Sequence, residues 1–314
     1  MTDTPISASD LPTWRKVVAF PLVSLAIGLG SAVATIWALS LLLNQITNWQ
    51  YGDSAWMALG AVLSVLAIFL LSKFLLRYLG DMPRDDLPLS GSVKDVFYGF
   101  LGGGWLITMC VGVAFILGSY SILGWGTSES AALIWLQAGL FAGFVEEVII
   151  RGVLFRFLEE FAGSWAALAI SALVFGFLHA GNENATVFSS IAISIEAGIL
   201  LGAAYMYTRN LWLAIGIHAG WNVVQGYFWD VPVSGVQVDG LVEAELSGPV
   251  LLSGGSFGLE ASIIALIIAT SAGLWLLREA VRRGNTVKPW WTRKRLHEKL
   301  EAPEAKRVPA KAGS

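Results

Sequence analysis

Apolar residues along this chain come in long unbroken runs with no strand-like alternation. Eight such runs cover residues 17–43, 55–79, 96–117, 131–157, 164–179, 187–207, 211–229 and 257–277. A helix needs about 20 mostly apolar residues to cross a bilayer. The pattern therefore predicts an all-α polytopic membrane protein of about eight transmembrane helices, and it excludes a β-barrel, whose strands alternate. The first run is too long for a signal-peptide core and lacks a small-x-small cleavage site, so it is expected to be an anchor.

The basic residues set the orientation. Arg15 and Lys16 precede the first run, and Lys73, Arg77, Arg84 and Lys94 lie at the second connection. Arg151 and Arg156 fall near the fourth, Arg209 falls at the sixth, and the remaining 11 of the 20 Lys and Arg residues follow the last run. The alternate connections contain no Lys or Arg and carry Asp53, Glu129, Glu183, Asp230, Asp239, Glu243 and Glu245. The positive-inside rule then puts both termini in the cytoplasm. Three regions are expected: a cytoplasmic tail over 1–16, a membrane domain over 17–277 whose core is at about 131–229, and a basic cytoplasmic tail over 278–314.

Composition agrees. Of 314 residues, 55% are apolar and 14% charged, and the single cysteine, Cys110, excludes a disulfide framework and a cysteine metal cluster. The net charge of −3 averages a basic inner face and an acidic outer one. Many of the 14 tryptophans, including Trp14, Trp49, Trp125, Trp165 and Trp291, fall near run ends as an interfacial belt. The basic tail around Trp290 and Trp291 reads either as a solvated topogenic tail or as a segment lying on anionic headgroups. From Ala302 onward its composition predicts disorder. The acidic segment between Trp229 and Phe257 reads either as a lid or as a flexible outer loop.

Ionisable groups at bilayer depth are the informative ones, because each costs at least about 2.5 kcal/mol to insert. The fourth run holds Glu146, Glu147 and Arg151, the fifth ends on Phe175 and His179, the sixth holds Glu196, and the seventh holds His218 and Asn222. Glu147 and Arg151 are four apart and share a helix face. Glu146 is turned about 100° away, which leaves it a free carboxylate facing a cavity, where desolvation makes a better base. His218 and Asn222 also share a face. Rise per residue places Glu146 and His218 about 15 Å from the inner face but His179 about 21 Å from it, a mismatch of about one turn of helix or more.

With those residues in order, the chain resembles the CAAX prenyl protease and bacteriocin-processing family of intramembrane proteases. Its Glu-Glu-x-x-x-Arg motif is matched by Glu146, Glu147 and Arg151, its Phe-x-x-x-His motif by Phe175 and His179, and its His-x-x-x-Asn motif by His218 and Asn222. The stretch from Leu251 to Glu260 is similar to the lead-in to the last helix of bacterial members. The resemblance implies an intramembrane endopeptidase. In it Glu146 and His179 activate a water, His218 and Asn222 stabilise the oxyanion, and Glu147 and Arg151 buttress the fourth helix. Glu196 and Phe175 are expected to border a substrate cavity open to the membrane and to the inner side.

No cofactor is favoured. The alternative is zinc on Glu146, His179 and His218, for which the metalloendopeptidase label would apply. The expected partners are membrane lipid and a membrane-associated or lipidated peptide or protein, with no nucleic acid. The expected location is an integral multi-pass membrane protein, in the plasma (inner) membrane if bacterial. Two other readings remain open: a non-catalytic scaffold or immunity-type protein on the same fold, and a proton-coupled transporter, which predicts repeats that the sequence lacks.

Overall fold

The computed structural model describes residues 12–46 and 54–301. Trp49, Asp53 and the region expected to be disordered from Ala302 lie outside the described residues. All eight apolar runs form helix. After a short helix, Thr13–Ala19, come α1 (Pro21–Ile46), α2 (Ser54–Phe74), α3 (Ser92–Ile116) and α4 (Leu133–Ala162). They are followed by α5 (Ser164–Leu178), α6 (Val187–Thr208), α7 (Trp212–Val223, continued by Val224–Phe228) and α8 (Ile263–Arg282). Seven of these meet the length and hydropathy of a span. The eighth, α7, is shorter and largely enclosed by its neighbours. The chain is an integral, multi-pass, all-α membrane protein.

Local sequence explains the ends. Pro21 starts α1 at the position where a missing N–H is harmless. Gly163, at φ +86°, gives the abrupt turn between α4 and α5. Thr186 and Ser189 close a capping box on α6, and Ser262 caps α8 through the Ala265 amide. Much of α4 is wound as a π helix, over Leu133–Glu146 and Val148–Phe155. This wider winding recurs at functional sites.

Small residues let the helices approach backbone to backbone. Gly99 and Gly103 of α3 lie against Gly216, Ile217 and Gly220 of α7, and a methyl group on Gly220 would collide with the Phe100 carbonyl. Gly143 of α4 faces Ala219, 3.0 Å from where its Cβ would stand. Gly176 of α5 lies on Ser190 and Ser194 of α6 in the same manner. Without a hydrophobic drive between helices in lipid, such close packing is what associates them. The outward faces keep large apolar side chains such as Val33, Leu66, Trp105, Leu173 and Leu274 exposed to lipid.

The end of the bundle that carries the basic residues is tied by buried ion pairs. Arg156, expected near an inner connection, is instead 1% exposed. It binds Asp86 at 2.9 Å and the carbonyls of Leu76 and Leu79, because the 75–91 connection folds back over the helix ends. Arg151 is likewise fully enclosed. Arg209 makes a bidentate pair with Glu159, at 2.9 and 2.7 Å. A ninth helix, α9 (Trp290–Glu301), docks here: Trp290 packs on Phe20, Trp291 on Phe161, and Arg293 pairs with Asp81 at 2.7 Å. The start of the basic tail is therefore packed on the bundle and not free in solvent, as the sequence reading allowed.

At the opposite end the acidic segment folds into a cap. Strand β1 (Tyr120–Trp125) pairs antiparallel with β2 (Val242–Leu246), from Tyr120 against Leu246 to Trp125 against Val242, with an irregularity between Ile122 and Gly124. Val231, Val233, Phe257 and Leu259 are buried beneath it. The segment is thus an ordered cover and not a loose loop.

The α3–α7 contact should tolerate no added atom. Gly220→Ala is expected to lower unfolding stability in detergent by about 1–3 kcal/mol, the size of an overpacking penalty. Gly112→Ala, where nothing lies within 4 Å, should be neutral or slightly stabilising. Equal melting temperatures for the two variants would refute the packing argument.

Candidate active site

Four helices deliver the polar residues. Glu147 of α4 is completely enclosed, and its Oε1 accepts from Arg151 Nη1 at 2.7 Å and from His218 Nδ1 at 2.9 Å. The i, i+4 pair expected from the sequence is therefore present, and its carboxylate also reaches across to α7, a link the spacing did not reveal. The Arg151 guanidinium also stacks 4.4 Å over the ring of Phe175. That ring meets His179 at 4.8 Å and His218 at 5.9 Å, edge-on in both cases. Phe175 thus acts as the spacer that sets both imidazoles.

The partners of the two histidines differ. His179 Nδ1 lies 2.8 Å from the Phe175 carbonyl, which can only accept, so Nδ1 donates and Nε2 keeps a lone pair. His218 Nδ1 donates to the Glu147 carboxylate, which fixes the orientation of the ring. Asn222 spends one amide hydrogen on the Ala138 carbonyl at 2.9 Å and keeps the second.

Glu146 makes none of these bonds. It is half-buried and lines a cavity of about 230 Å³ together with His179, His218 and Asn222. The same cavity is bounded by Asn182, Val233, Ser234 and Val236. It therefore opens beneath the cap at the acidic end. The sequence reading expected an opening toward the inner side; the cavity instead lies at the acidic end, which the positive-inside rule places outside. His179 closes the outer end of α5, so the site lies in the outer half of the bundle, which also removes the depth mismatch. A second opening of about 200 Å³ runs past Glu146 and His179 between Ile149 and Leu178. Leu178 is 63% exposed on the lipid-facing side, so this opening points sideways into the bilayer.

Glu196 is buried in α6 and lines a narrower recess behind the histidines, joined there by Glu260. Glu260 was not singled out from the sequence. It lies in the tight turn before α8, where Gly258 at φ +106° leaves no room for a side chain against the Pro232 carbonyl. Its Oε2 accepts from the Ser234 amide at 2.6 Å and hydroxyl at 3.0 Å. Burial pushes its carboxyl above the ordinary range, and the Ser234 donors oppose the shift. The signal available in the sequence was an acidic residue between apolar turns of a Gly-rich stretch.

Among the described residues no three His, Cys, Asp or Glu side chains converge closely enough to ligate one ion.

Residues 128–224 match the family model described as Type II CAAX prenyl endopeptidase Rce1-like. The match begins before α4, ends in α7 and contains all of Glu146, Glu147, Arg151, Phe175, His179, Glu196, His218 and Asn222, in under a third of the chain. No curated protein and no solved structure matches the chain.

Removing Arg151 should strand a buried carboxylate. Arg151→Met is expected to cost about 3–5 kcal/mol of unfolding stability in detergent, and Arg151→Met with Glu147→Gln should recover at least half of it. A single variant as stable as the parent would show that the pair does not hold α4. Orientation is tested by labelling a Cys110→Ala background. In right-side-out vesicles an impermeant maleimide should modify Glu183→Cys at once and Arg282→Cys only after permeabilisation. The reverse order would overturn the outward-facing assignment.

Proposed function

From the premise that residues 128–224 form a Type II CAAX prenyl endopeptidase Rce1-like domain, we propose that the chain is an intramembrane endopeptidase acting on a membrane-associated or lipidated peptide through a water activated by Glu146 and His179. One observation carries this reading: Glu146, His179, His218 and Asn222 border one cavity beneath the cap, and a second opening past Ile149 and Leu178 reaches Glu146 and His179 from the side of the bundle. A substrate segment enters sideways from the membrane while water enters beneath the cap.

The partners of each residue suggest its task. Glu146 takes a proton from water as the water oxygen attacks the scissile carbonyl carbon. The lone pair on His179 Nε2 holds that water in line. The carbonyl oxygen becomes an oxyanion and accepts from Nε2–H of the doubly protonated His218 and from the free amide hydrogen of Asn222. Collapse of the tetrahedral adduct breaks the C–N bond, and the proton held by Glu146 passes to the leaving amine. Glu147 and Arg151 touch no reacting atom. They position His218 and Phe175. The reading is a metal-free glutamate mechanism.

In liposomes carrying a quenched peptide library, Glu146→Gln and His179→Ala should each lower kcat/KM by at least about 10²-fold with melting temperature retained. Cleavage undiminished in both would sink the assignment, and no cleavage by the wild type on any peptide of the library would favour a non-catalytic scaffold. Turnover should survive dialysis against a chelator. Stoichiometric zinc whose removal abolishes activity would replace the metal-free mechanism.

A further inference from the structure

The recess behind the histidines holds two carboxylates that the proposed mechanism does not use. It is narrow, with about 40 Å³ of free volume, and His179, His218 and Asn222 stand at its entrance. Its walls are the apolar side chains of Ile193, Leu200, Leu201 and Ile217. Glu196 and Glu260 enter it from α6 and from the turn before α8.

The two carboxylates are not equally provided for. Glu260 is held by the Ser234 amide and hydroxyl. Glu196 is 1% exposed, and its Oε2 has no hydrogen-bond partner. Among the described residues no Lys or Arg pairs with either carboxylate: Arg151 is taken by Glu147, and the other buried arginine, Arg156, is at the far end of the bundle. A buried acceptor without a partner is costly, and a charge on either carboxyl would repel a charge on the other. The arrangement is stable in a functional sense only if something positive or proton-donating arrives from outside the chain. Two carboxylates are too few for a metal, and no third ligand converges. An ammonium or guanidinium on an apolar stem fits both the walls and the end, because such side chains bury their methylenes and present the charge at the tip.

We propose that this recess is a specificity pocket that receives the lysine or arginine side chain of the peptide substrate next to the scissile bond, with Glu196 as its principal counter-charge and Glu260 as its second. The proposal rests on the endopeptidase reading for its substrate, but its test does not require turnover. The full chain carrying Glu146→Gln keeps the recess, since Glu146 does not line it. In detergent micelles this variant is titrated with N-dodecanoyl-lysine amide, the arginine analogue and the uncharged norleucine analogue, and binding is read from the rise in melting temperature.

The lysine and arginine probes should bind at least about tenfold more tightly than norleucine. Adding Glu196→Gln or Glu260→Gln should erase most of that difference while leaving norleucine binding in place. If either double variant does not fold, the other carries the comparison, and Ser234→Ala, which loosens Glu260, gives a third. Equal affinity for the three probes, or discrimination that survives both substitutions, overturns the proposal and assigns the carboxyls to a shared proton or to water. The wild type is assayed in parallel on peptides that differ only by lysine or norleucine. Probe selectivity without any cleavage would remove the endopeptidase reading and leave the pocket. Cleavage of both peptides at equal rates, with equal probe binding, would remove the pocket alone.

Discussion

A carboxylate in a bilayer must find its charge partner inside the protein, and the site is built around how Glu147 does so. Arg151 answers the charge from the same helix, one turn away, so the pair forms as α4 forms. The same oxygen also takes the His218 N–H, which belongs to another helix. That second bond is short only if α7 stands close to α4, and α7 is held close by glycine contacts on both sides, Gly143 against Ala219 and Gly103 against Ile217. Electrostatics and packing therefore fix the same distance. The Arg151 guanidinium completes the frame by lying on Phe175, whose ring and carbonyl in turn orient His179.

The two ends of the bundle solve different problems. At the basic end, Asp86 and Glu159 each bind two arginines or more, and Tyr205 joins through Asp86 at 2.9 Å. These pairs link the 75–91 connection to α4 and α6, and removing any one member leaves a buried charge. At the acidic end there is no such lock. A two-stranded sheet and glycine turns form the cap through backbone hydrogen bonds, including Gly235 to Phe257 at 2.8 Å. An end rigid by charge and an end held by backbone contacts suit a bundle whose cavity opens only beneath the cap and sideways to lipid.

Much of this was legible in the sequence because lipid imposes one-dimensional rules. Runs of apolar residues had to be helices, basic residues had to collect on one face, and spacing of four had to place Glu147 with Arg151. Glu146 and His179 looked unequal in depth because Glu146 was counted from Arg156 as if that residue stood at the inner face, whereas α4 runs on to Ala162. Arg156 looked topogenic because sequence does not show a connection folding back over a helix end. Glu260 escaped because its surroundings come from Ser234 and Gly258, brought together only by the fold. The double duty of Glu147 escaped for the same reason, since α4 and α7 are far apart in sequence.

The carboxylates near the bilayer sort themselves by what answers them. Glu159 and Glu160 have arginines within 4 Å and shape the basic end. Glu147 has an arginine and a histidine and shapes the site. Glu146 and Glu196 have no cation of the chain's own bound to them, and both border open space. In water such a difference would mean little, because solvent answers every charge. In a membrane it carries information, since evolution of a stable fold removes an unanswered carboxylate unless it acts on something from outside. Glu146 faces the cavity that water and the bilayer both reach, and Glu196 faces the recess behind it. In the proposed reading one carboxylate acts on water and the other on a cation of the substrate, and the two histidines line both spaces.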